Sequence, residues 1–327
     1  KEIKELKNIK NLEIKTRTSV AAFHGYNYLL ARENLTDHLE KKDKQGKIRQ
    51  RLLKIRAKKV ILATGALERP LIFNNNDRPG IMLSSAVKKY ADFYGVVSGK
   101  KNVFFTNNDS AYESAFCLHN KGINVEAIID IRESSNSKIV KAVEEAGIKI
   151  HWSHTIVDTR GYKRLNGISA MKLSNDGLSV TGSKINISCD CLGVAGGWTP
   201  AVHLFTQSGG KLKFDENDNV FLPNKYPSEQ MSVGSCNGDF KLKEIISNLS
   251  TNLKQFLKVD KTDFDNVLIE SEEENSKRNI WLLPSDKPIG KTKPFVDYQN
   301  DATAKDIKLA LREGFRSIEH VKRYTTT

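Results

Sequence analysis

The chain has 327 residues, which is enough for about two domains of ordinary size, each with its own hydrophobic core. A hydrophobic fraction of 39% excludes a chain that is disordered throughout, and the longest apolar runs, such as residues 60–63, are too short to cross a membrane. The net charge of +13 comes mostly from lysines scattered over the whole length and densest at residues 41–59, where no aromatic residues lie between them; this argues against a nucleic-acid-binding surface.

The first predicted strands lead into a turn of small residues. Residues 10–31 contain short apolar stretches that predict strands, with His24–Asn27 as the turn between them. Residues 59–62 predict a further strand, which runs directly into Ala63–Ala66. Small side chains at the end of a strand allow another backbone or a ligand to approach closely.

A regular alternation of helices and strands follows. Residues 84–94 predict a helix with Ser84 or Ser85 as its N-cap. The next strands are predicted at 102–105, 125–131 and 148–152, with helices at 110–120 and 138–146 between them. This βαβαβ order predicts a parallel sheet. A polar hairpin region at 155–188 precedes a strand at 189–194, which runs into a second turn of small residues, Ala195–Gly197.

The last third of the chain contains a third small-residue turn. Ser232–Asp239 opens a predicted helix at 241–257, so the turn is either an anion site at a positive helix end or a plain strand-to-helix connection. The acidic stretch Glu270–Glu274 and the prolines after it predict a linker. Residues 303–323 predict one amphipathic helix, or two short helices broken at Gly314.

Cysteine and histidine usage gives no sign of a catalytic or metal centre. Cys189 and Cys191 have only one residue between them and no second ligand pair, so we predict reduced thiols packed in a core, as in a cytoplasmic protein. None of the seven histidines lies in a nucleophile or metal motif. We therefore predict no catalytic residue and no metal.

Because the first residue is Lys1 and the last is Thr327, directly after a helix, we expect a fragment of a longer chain.

Several runs of residues carry a family resemblance. Residues 63–70 resemble the second nucleotide-contact motif of flavoproteins with two dinucleotide-binding domains. The following runs resemble the alpha subunit of heterotetrameric sarcosine oxidase, in order and with matching spacing: 74–82, 105–112, 194–200, 295–301 and 319–324. The fold class expected is therefore α/β, with nested Rossmann-like FAD/NAD(P)-binding domains and without the first βα unit and its Gly-rich loop.

The resemblance also implies a domain organisation and an activity. Residues 1–97 and 195–258 would form an incomplete outer nucleotide-binding domain, 98–194 an inserted one, and 259–327 a linker and helical segment leading to an absent folate-binding domain. NAD would bind this subunit, whereas FAD, FMN and tetrahydrofolate would serve the full complex with the beta subunit and smaller subunits. That complex would oxidatively demethylate sarcosine, without nucleic acid or membrane as partner.

The cofactor-binding residues implied by the resemblance lie in two turns and one strand. They are Val20, Ala63, Thr64, Gly65, Ala66, Gly234, Asn237, Gly238 and Asp239. Asp239 would bond a ribose hydroxyl or else cap a helix. Glu68 and Arg69 would either form a buried pair or contact the ligand.

Two departures from the family pattern restrict the chemistry. Asn107–Ser110 stands where a working dinucleotide site needs glycines, so we expect the inserted domain to bind no second nucleotide tightly. No cysteine follows Cys236, so an iron–sulfur cluster cannot form near residues 295–324. Two alternatives stay open: an FAD-binding subunit of a proline- or octopine-type dehydrogenase, and a non-catalytic nucleotide-binding assembly module.

Overall fold

The computed structural model describes Leu6, residues 8–260 and residues 278–327; the predicted acidic linker stretch Glu270–Glu274 lies outside them. The strands are β1 Thr18–His24, β2 Tyr28–Asn34, β3 Gln50–Arg56, β4 Val60–Leu62, β5 Ala66–Glu68, β6 Ile81–Leu83, β7 Asn102–Thr106, β8 Val125–Asp130, β9 Ile150–His151, β10 His154–Arg160, β11 Gly167–Leu173, β12 Val180–Ile187, β13 Cys191–Ala195, β14 Trp198–Pro200, β15 Lys211–Asp215, β16 Val220–Lys225, β17 Gln230–Ser232, β18 Phe295–Asp297 and β19 Ala302–Thr303. The α-helices are α1 Ser84–Phe93, α2 Ser110–Asn120, α3 Lys138–Glu145, α4 His203–Gln207, α5 Leu242–Leu257, α6 Ala304–Arg312 and α7 Ile318–Thr325.

The chain forms two compact units. Unit one comprises the described residues within 1–66 and 199–270, and unit two those within 67–198 and 271–327. These boundaries differ from the predicted limits of the inserted domain, 98–194, because β6 pairs in parallel with β13 and therefore belongs to unit two. Within the described residues, no helix is both long and apolar enough to cross a bilayer.

Unit one contains an antiparallel sheet and a short parallel pair. Strands β1, β2 and β3 form the antiparallel sheet, and β4 pairs in parallel with β17. The prediction for residues 10–31 is confirmed for β1, β2 and the turn between them, but residues 12–14 are not a strand. One cluster of buried core residues in this unit consists of Phe23, Leu29, Val60, Leu62 and Phe205. The core therefore joins one face of the antiparallel sheet to the parallel pair.

Asn27 connects these two parts of unit one. This buried residue lies in the β1–β2 turn, and its Nδ2 donates to the carbonyls of Lys58 at 3.2 Å and Glu229 at 2.9 Å. Those carbonyls come just before β4 and β17. The Oδ1 of Asn27 accepts from the hydroxyl of Ser228 at 2.7 Å. A single side chain thus holds the amino ends of two strands that are about 170 residues apart.

Unit two is built on a parallel sheet, as its alternating pattern predicts. Its five strands have the order β6–β13–β7–β8–β9, and all neighbours are parallel. The predicted hairpin region forms a separate antiparallel sheet, β10–β11–β12. Helices α6 and α7 are two short helices rather than one, because Gly314 adopts a φ of 93° between them.

The run Asn74–Asn76 attaches a C-terminal segment to unit two. Asn76 donates through Nδ2 to the carbonyl of Phe295 at 2.9 Å and accepts from the amide of Phe295 at 2.8 Å. Asn74 accepts from the amide of Lys293 at 2.8 Å. Since a primary amide group carries both a donor and an acceptor, it pairs with backbone as a neighbouring strand would. This contact explains the residue type at two positions of the family motif.

The predicted N-cap of α1 is wrong. The N-cap residue is Leu83, and Ser84 and Ser85 are the first residues of the helix. Glu68 instead accepts through Oε2 from the amide of Ser85 at 2.8 Å and from its hydroxyl at 2.6 Å. A carboxylate distant in sequence therefore satisfies a free amide at the helix start, which a local capping pattern cannot reveal.

Cys189 and Cys191 are buried free thiols, as predicted, and they should be almost unreactive in the folded protein. Burial raises the pKa of each thiol to about 12. At pH 8 the thiolate fraction then falls roughly a thousandfold below that of an ordinary cysteine, and the thiolate is the reactive form.

We expect iodoacetamide at pH 8 to modify half-buried Cys117 first and to reach Cys189 and Cys191 only in denaturant. Mass spectrometry of tryptic peptides measures this order. Rapid labelling of either buried thiol in native buffer would contradict the prediction.

Asn27→Asp should unfold unit one at low denaturant. The substitution keeps the size of the side chain but turns a carboxylate oxygen toward two carbonyls that accept from Nδ2. Loss of both donors in a buried site should lower the free energy of unfolding by about 3 kcal/mol or more. Urea titration measures the change. Asn11→Asp, an exposed position with the same change of charge, is the control and should unfold like the wild type.

Candidate nucleotide-binding site

The structure brings two of the predicted cofactor motifs to the same edge of unit one. The turn Ala63–Ala66 follows β4, and the turn Gly234–Asp239 follows β17. The register pairs Leu62 with Ser232, and the amide of Val233 donates to the carbonyl of Leu62 at 2.9 Å. Because carboxyl ends of parallel strands lie at one edge, both turns emerge side by side, where ligands bind in folds of this class.

The first turn exposes backbone without side-chain cover. Gly65 has a φ of 71°, and no heavy atom lies within 4 Å of the position that a Cβ would take. The neighbouring residues Ala63 and Thr64 are exposed, and Ala66 is half-buried. The hydroxyl of Thr64 donates to the carbonyl of Ala201 at 2.8 Å, which fixes the turn. Within the described residues, the amides of Thr64 and Gly65 have no acceptor.

The second turn is a 3₁₀ turn that ends in a glycine. Gly238 closes it with a φ of 92°, and a Cβ there would lie 2.7 Å from a methyl group of Leu222. Gly234 is open, since the nearest atom to its Cβ position is 3.9 Å away. The buried thiol of Cys236 donates to the carbonyl of Leu62 at 3.3 Å. Cys236 thus ties this turn to the end of β4, a role that its sequence position did not suggest.

Asp239 follows the second turn and is half-buried. Its carboxylate accepts from the side-chain amide of Asn248 at 2.7 Å and from that of Asn237 at 3.4 Å. The N-cap of α5 is Lys241, so the alternative that Asp239 caps this helix is wrong. A carboxylate offers about four acceptor positions, so two amide donors leave capacity for a hydroxyl.

Val20 is not brought to this edge by any described contact. It lies on β1, opposite Ala31 in the antiparallel sheet, and the residue is 40% exposed. Of the other predicted site residues, Thr64 and Gly65 have amides without an acceptor among the described residues, Gly65 and Gly234 have open Cβ positions, and Asp239 supplies one acidic side chain. This donor and acceptor set fits the phosphates and a ribose of a dinucleotide, because phosphates accept from amides and hydroxyls donate to carboxylates.

The corresponding edge of unit two is different. Asn107, directly after β7, donates its amide to the carbonyl of Ala195 at 3.3 Å. The side chain of Asn108 accepts from the amide of Ser110 at 3.0 Å and from its hydroxyl at 2.6 Å. The start of α2 is therefore covered by its own side chains where glycines would leave amides free. Gly196 is required for packing alone, since its Cβ would lie 2.7 Å from the carbonyl oxygen of Pro70.

Arg69 and Glu68 take separate partners in unit two. The guanidinium of Arg69 lies 4.9 Å from the ring centroid of Trp281, and its Nε donates to the carbonyl of Gly196 at 3.0 Å. Burial raises the pKa of Glu68, and its two hydrogen bonds from Ser85 oppose that rise. Both residues therefore serve the packing of unit two through the contacts described.

The described residues hold no group of three or more His, Cys, Asp or Glu side chains arranged for a metal ion. The rings of His151 and His154 are 5.6 Å apart. Burial, followed by the charges of Lys149 and His154, lowers the pKa of His151.

Comparison with known proteins supports the resemblance read from the residues. The sarcosine oxidase alpha subunit of Corynebacterium sp. strain P-1 is 36% identical to this chain over 320 residues, and that of Rhizobium meliloti strain 1021 is 32% identical over 338 residues. These alignments cover 95% and 99% of this chain, but the chain spans only about a third of the length of these relatives. A family model described as the sarcosine oxidase A3 domain matches residues 291–327. The resemblance is confirmed.

Solved structures share the fold. L-proline dehydrogenase from P. horikoshii matches with a TM-score of 0.60 at 21% identity, over 97% of this chain and 56% of that one. Thioredoxin reductase from Lactococcus lactis matches with a TM-score of 0.50 at 14% identity, over 74% of this chain and 73% of that one. The predicted α/β fold with a parallel sheet is confirmed.

Gly65→Ala should weaken dinucleotide binding and should lower the stability of the fold only by the backbone strain of a positive φ. Alanine at a φ of 71° is strained by about 1 kcal/mol, and its methyl group would enter the open space beside the free amides. We expect roughly a tenfold rise in the Kd for NAD⁺, measured by calorimetry.

Gly46→Ala is a matched control for this substitution. Gly46 lies in unit one with a φ of 73° and open space at its Cβ position, so the backbone strain is the same. Equal losses in thermal stability with weaker binding in Gly65→Ala alone would support the site. Equal binding by both variants would contradict it.

Proposed function

Since this chain is homologous to part of the alpha subunit of sarcosine oxidase, we propose that it is the NAD-binding part of such a subunit. In this proposal the subunit belongs to a hetero-oligomer with a beta subunit and smaller subunits. The complex oxidatively demethylates sarcosine at a flavin held outside this chain. The methyl carbon leaves as formaldehyde or passes to tetrahydrofolate.

The observation that carries the proposal is the pairing of β4 with β17, which sets two turns at one edge. The amides of Thr64 and Gly65 would donate to the pyrophosphate, with no side chain between them and the ligand. The open position at Gly234 would allow the dinucleotide to approach the second turn. When bound, NAD supplies a nicotinamide ring that can exchange a hydride, but here its proposed role is structural.

Asp239 would orient the ligand. Its carboxylate is held by the side-chain amides of Asn248 and Asn237, so its direction is fixed before a ligand arrives. A preformed acceptor loses little freedom on binding, and a hydrogen bond to a charged group contributes about 1.5–3 kcal/mol. Such an acceptor suits a ribose hydroxyl, which NAD and FAD both carry as part of their adenosine half.

Asp239→Ala should raise the Kd for NAD⁺ by about tenfold to a hundredfold, because the hydroxyl loses a charged acceptor. Calorimetry on nucleotide-free protein measures the change. Asp43→Ala removes an equally charged but exposed side chain from the same unit and should leave the Kd unchanged. An unchanged Kd in Asp239→Ala would remove Asp239 from the proposed site.

The nucleotide released by denaturing the purified protein distinguishes the proposal from its alternative. NAD in about one equivalent per chain is the expected result by liquid chromatography and mass spectrometry. FAD in its place would favour a dehydrogenase subunit that carries flavin in this unit. Absence of any nucleotide, together with no affinity for NAD⁺ or FAD, would contradict both.

A further inference from the structure

The strand order of unit two defines a cleft of its own. In β6–β13–β7–β8–β9 the direction of chain progression reverses between β13 and β7. In open parallel sheets ligands bind beyond the carboxyl ends of the strands at this reversal. Here the side chain of Asn108 donates to the carbonyl of Ala195 at 3.3 Å and so bridges the ends of β7 and β13. The crevice at the reversal is closed by hydrogen bonds of the protein itself.

The acidic residue at the end of β8 is also engaged. In dinucleotide-binding domains an acid at this place accepts the ribose hydroxyls. Asp130 is fully buried, and it accepts from Nη2 of Arg132 at 2.7 Å and from the hydroxyl of Tyr112 at 2.8 Å. Arg132 is only 1% exposed and also pairs with Asp109 at 2.8 Å. The acid therefore serves a buried guanidinium instead of a ligand.

The buried guanidinium is also enclosed by aromatic rings. It lies 5.8 Å from the ring centroid of Tyr112 and 5.9 Å from that of Trp152, and these two rings are stacked on each other. Burial alone lowers the pKa of Arg132, but Asp130 and Asp109 outweigh burial and raise it. Arg132 thus stays charged, and its charge holds both carboxylates in place.

A segment from far along the chain covers the same edge. Residues 278–283, here named the return segment, begin with Arg278, whose guanidinium donates to the carbonyl of Ile131 at 3.1 Å, just beyond β8. It also donates to the carbonyls of Ser174 and Asn175, each at 2.8 Å. The carbonyl of Arg278 accepts from the side chain of Asn107 at 3.4 Å. One residue therefore contacts the ends of β7 and β8 together.

The rest of the return segment is held by the core. Leu283 is buried in the cluster that contains Val103, Phe105 and Ile129 of β7 and β8. Its amide donates to the carbonyl of Ile72 at 3.0 Å, and Leu282 forms a parallel bridge with Ile72. The return segment is thus held by Arg278 at its start and by the burial and backbone pairing of Leu282 and Leu283 at its end.

We infer that the cleft of unit two binds the return segment of its own chain in place of a nucleotide, so that unit two anchors the C-terminal region. Groups at the place where a dinucleotide would bind are engaged: the amide of Asn107 and the side chain of Asn108 at the crevice, and Asp130 at the ribose position. This inference does not depend on the nucleotide proposed for unit one, since all its contacts lie within unit two.

Hydrogen exchange on the purified protein tests the anchor. Arg278→Ala removes three donated hydrogen bonds, so peptides that contain residues 278–283 should exchange about tenfold faster or more. Arg316→Ala removes an exposed arginine of the same C-terminal region and should leave these rates unchanged. If the alanine variant does not fold, Arg278→Lys replaces it in this test. Lysine keeps the positive charge but lacks the planar set of N–H donors of a guanidinium, so an intermediate exchange rate is expected.

Nucleotide counting tests the cleft. Titration with NAD⁺ and NADH should give no second bound dinucleotide per chain, either in the wild type or in Arg278→Ala, because Asp130 stays paired with Arg132. Two dinucleotides per chain, or unchanged exchange in Arg278→Ala, would overturn the inference. A protein that binds none, yet shows the faster exchange, supports the anchor while contradicting the nucleotide proposed for unit one.

Discussion

The candidate site depends on one buried side chain, Asn27. Its side-chain amide joins the residues that precede β4 and β17, and these strands come from the two separate stretches of chain that form unit one. In a parallel pair the register fixes where both strands end, and a shift by one residue turns the side chains to the other face. By holding the amino ends together, Asn27 decides that the turns with Gly65 and Gly234 emerge at the same edge.

The two units use the carboxyl ends of parallel strands in opposite ways. In unit one, glycines leave amides and space at the strand ends. In unit two, asparagines and a buried arginine satisfy the groups at the strand ends with the protein's own atoms. The difference follows from what a buried charge requires. Once Arg132 is buried, it must keep Asp130 and Asp109 as partners, because an unpaired charge in the interior is strongly unfavourable.

Contacts between residues distant in the chain also decide which hydrogen-bond partner a polar group takes. Ser84 and Ser85 have the residue type of an N-cap, yet the carboxylate of Glu68 takes that role. The run Asn74–Asn76 belongs to a family motif, and its side-chain amides pair with the backbone of residues 293–295, which lie far along the chain. Each polar group takes the partner that the tertiary fold brings near, which the local sequence does not contain.

The sequence by itself determined the alternation of strands and helices in unit two and the positions of the turns that carry the candidate site. Alternation of apolar strands with amphipathic helices predicts the parallel sheet, and small residues at strand ends mark Ala63–Ala66 and Gly234–Asp239, because these signals are local and periodic. Only the tertiary structure decided that these turns share an edge, and that the cleft of unit two holds Arg278. Strand pairing and burial join residues more than a hundred positions apart, and their partners are set by packing rather than by spacing.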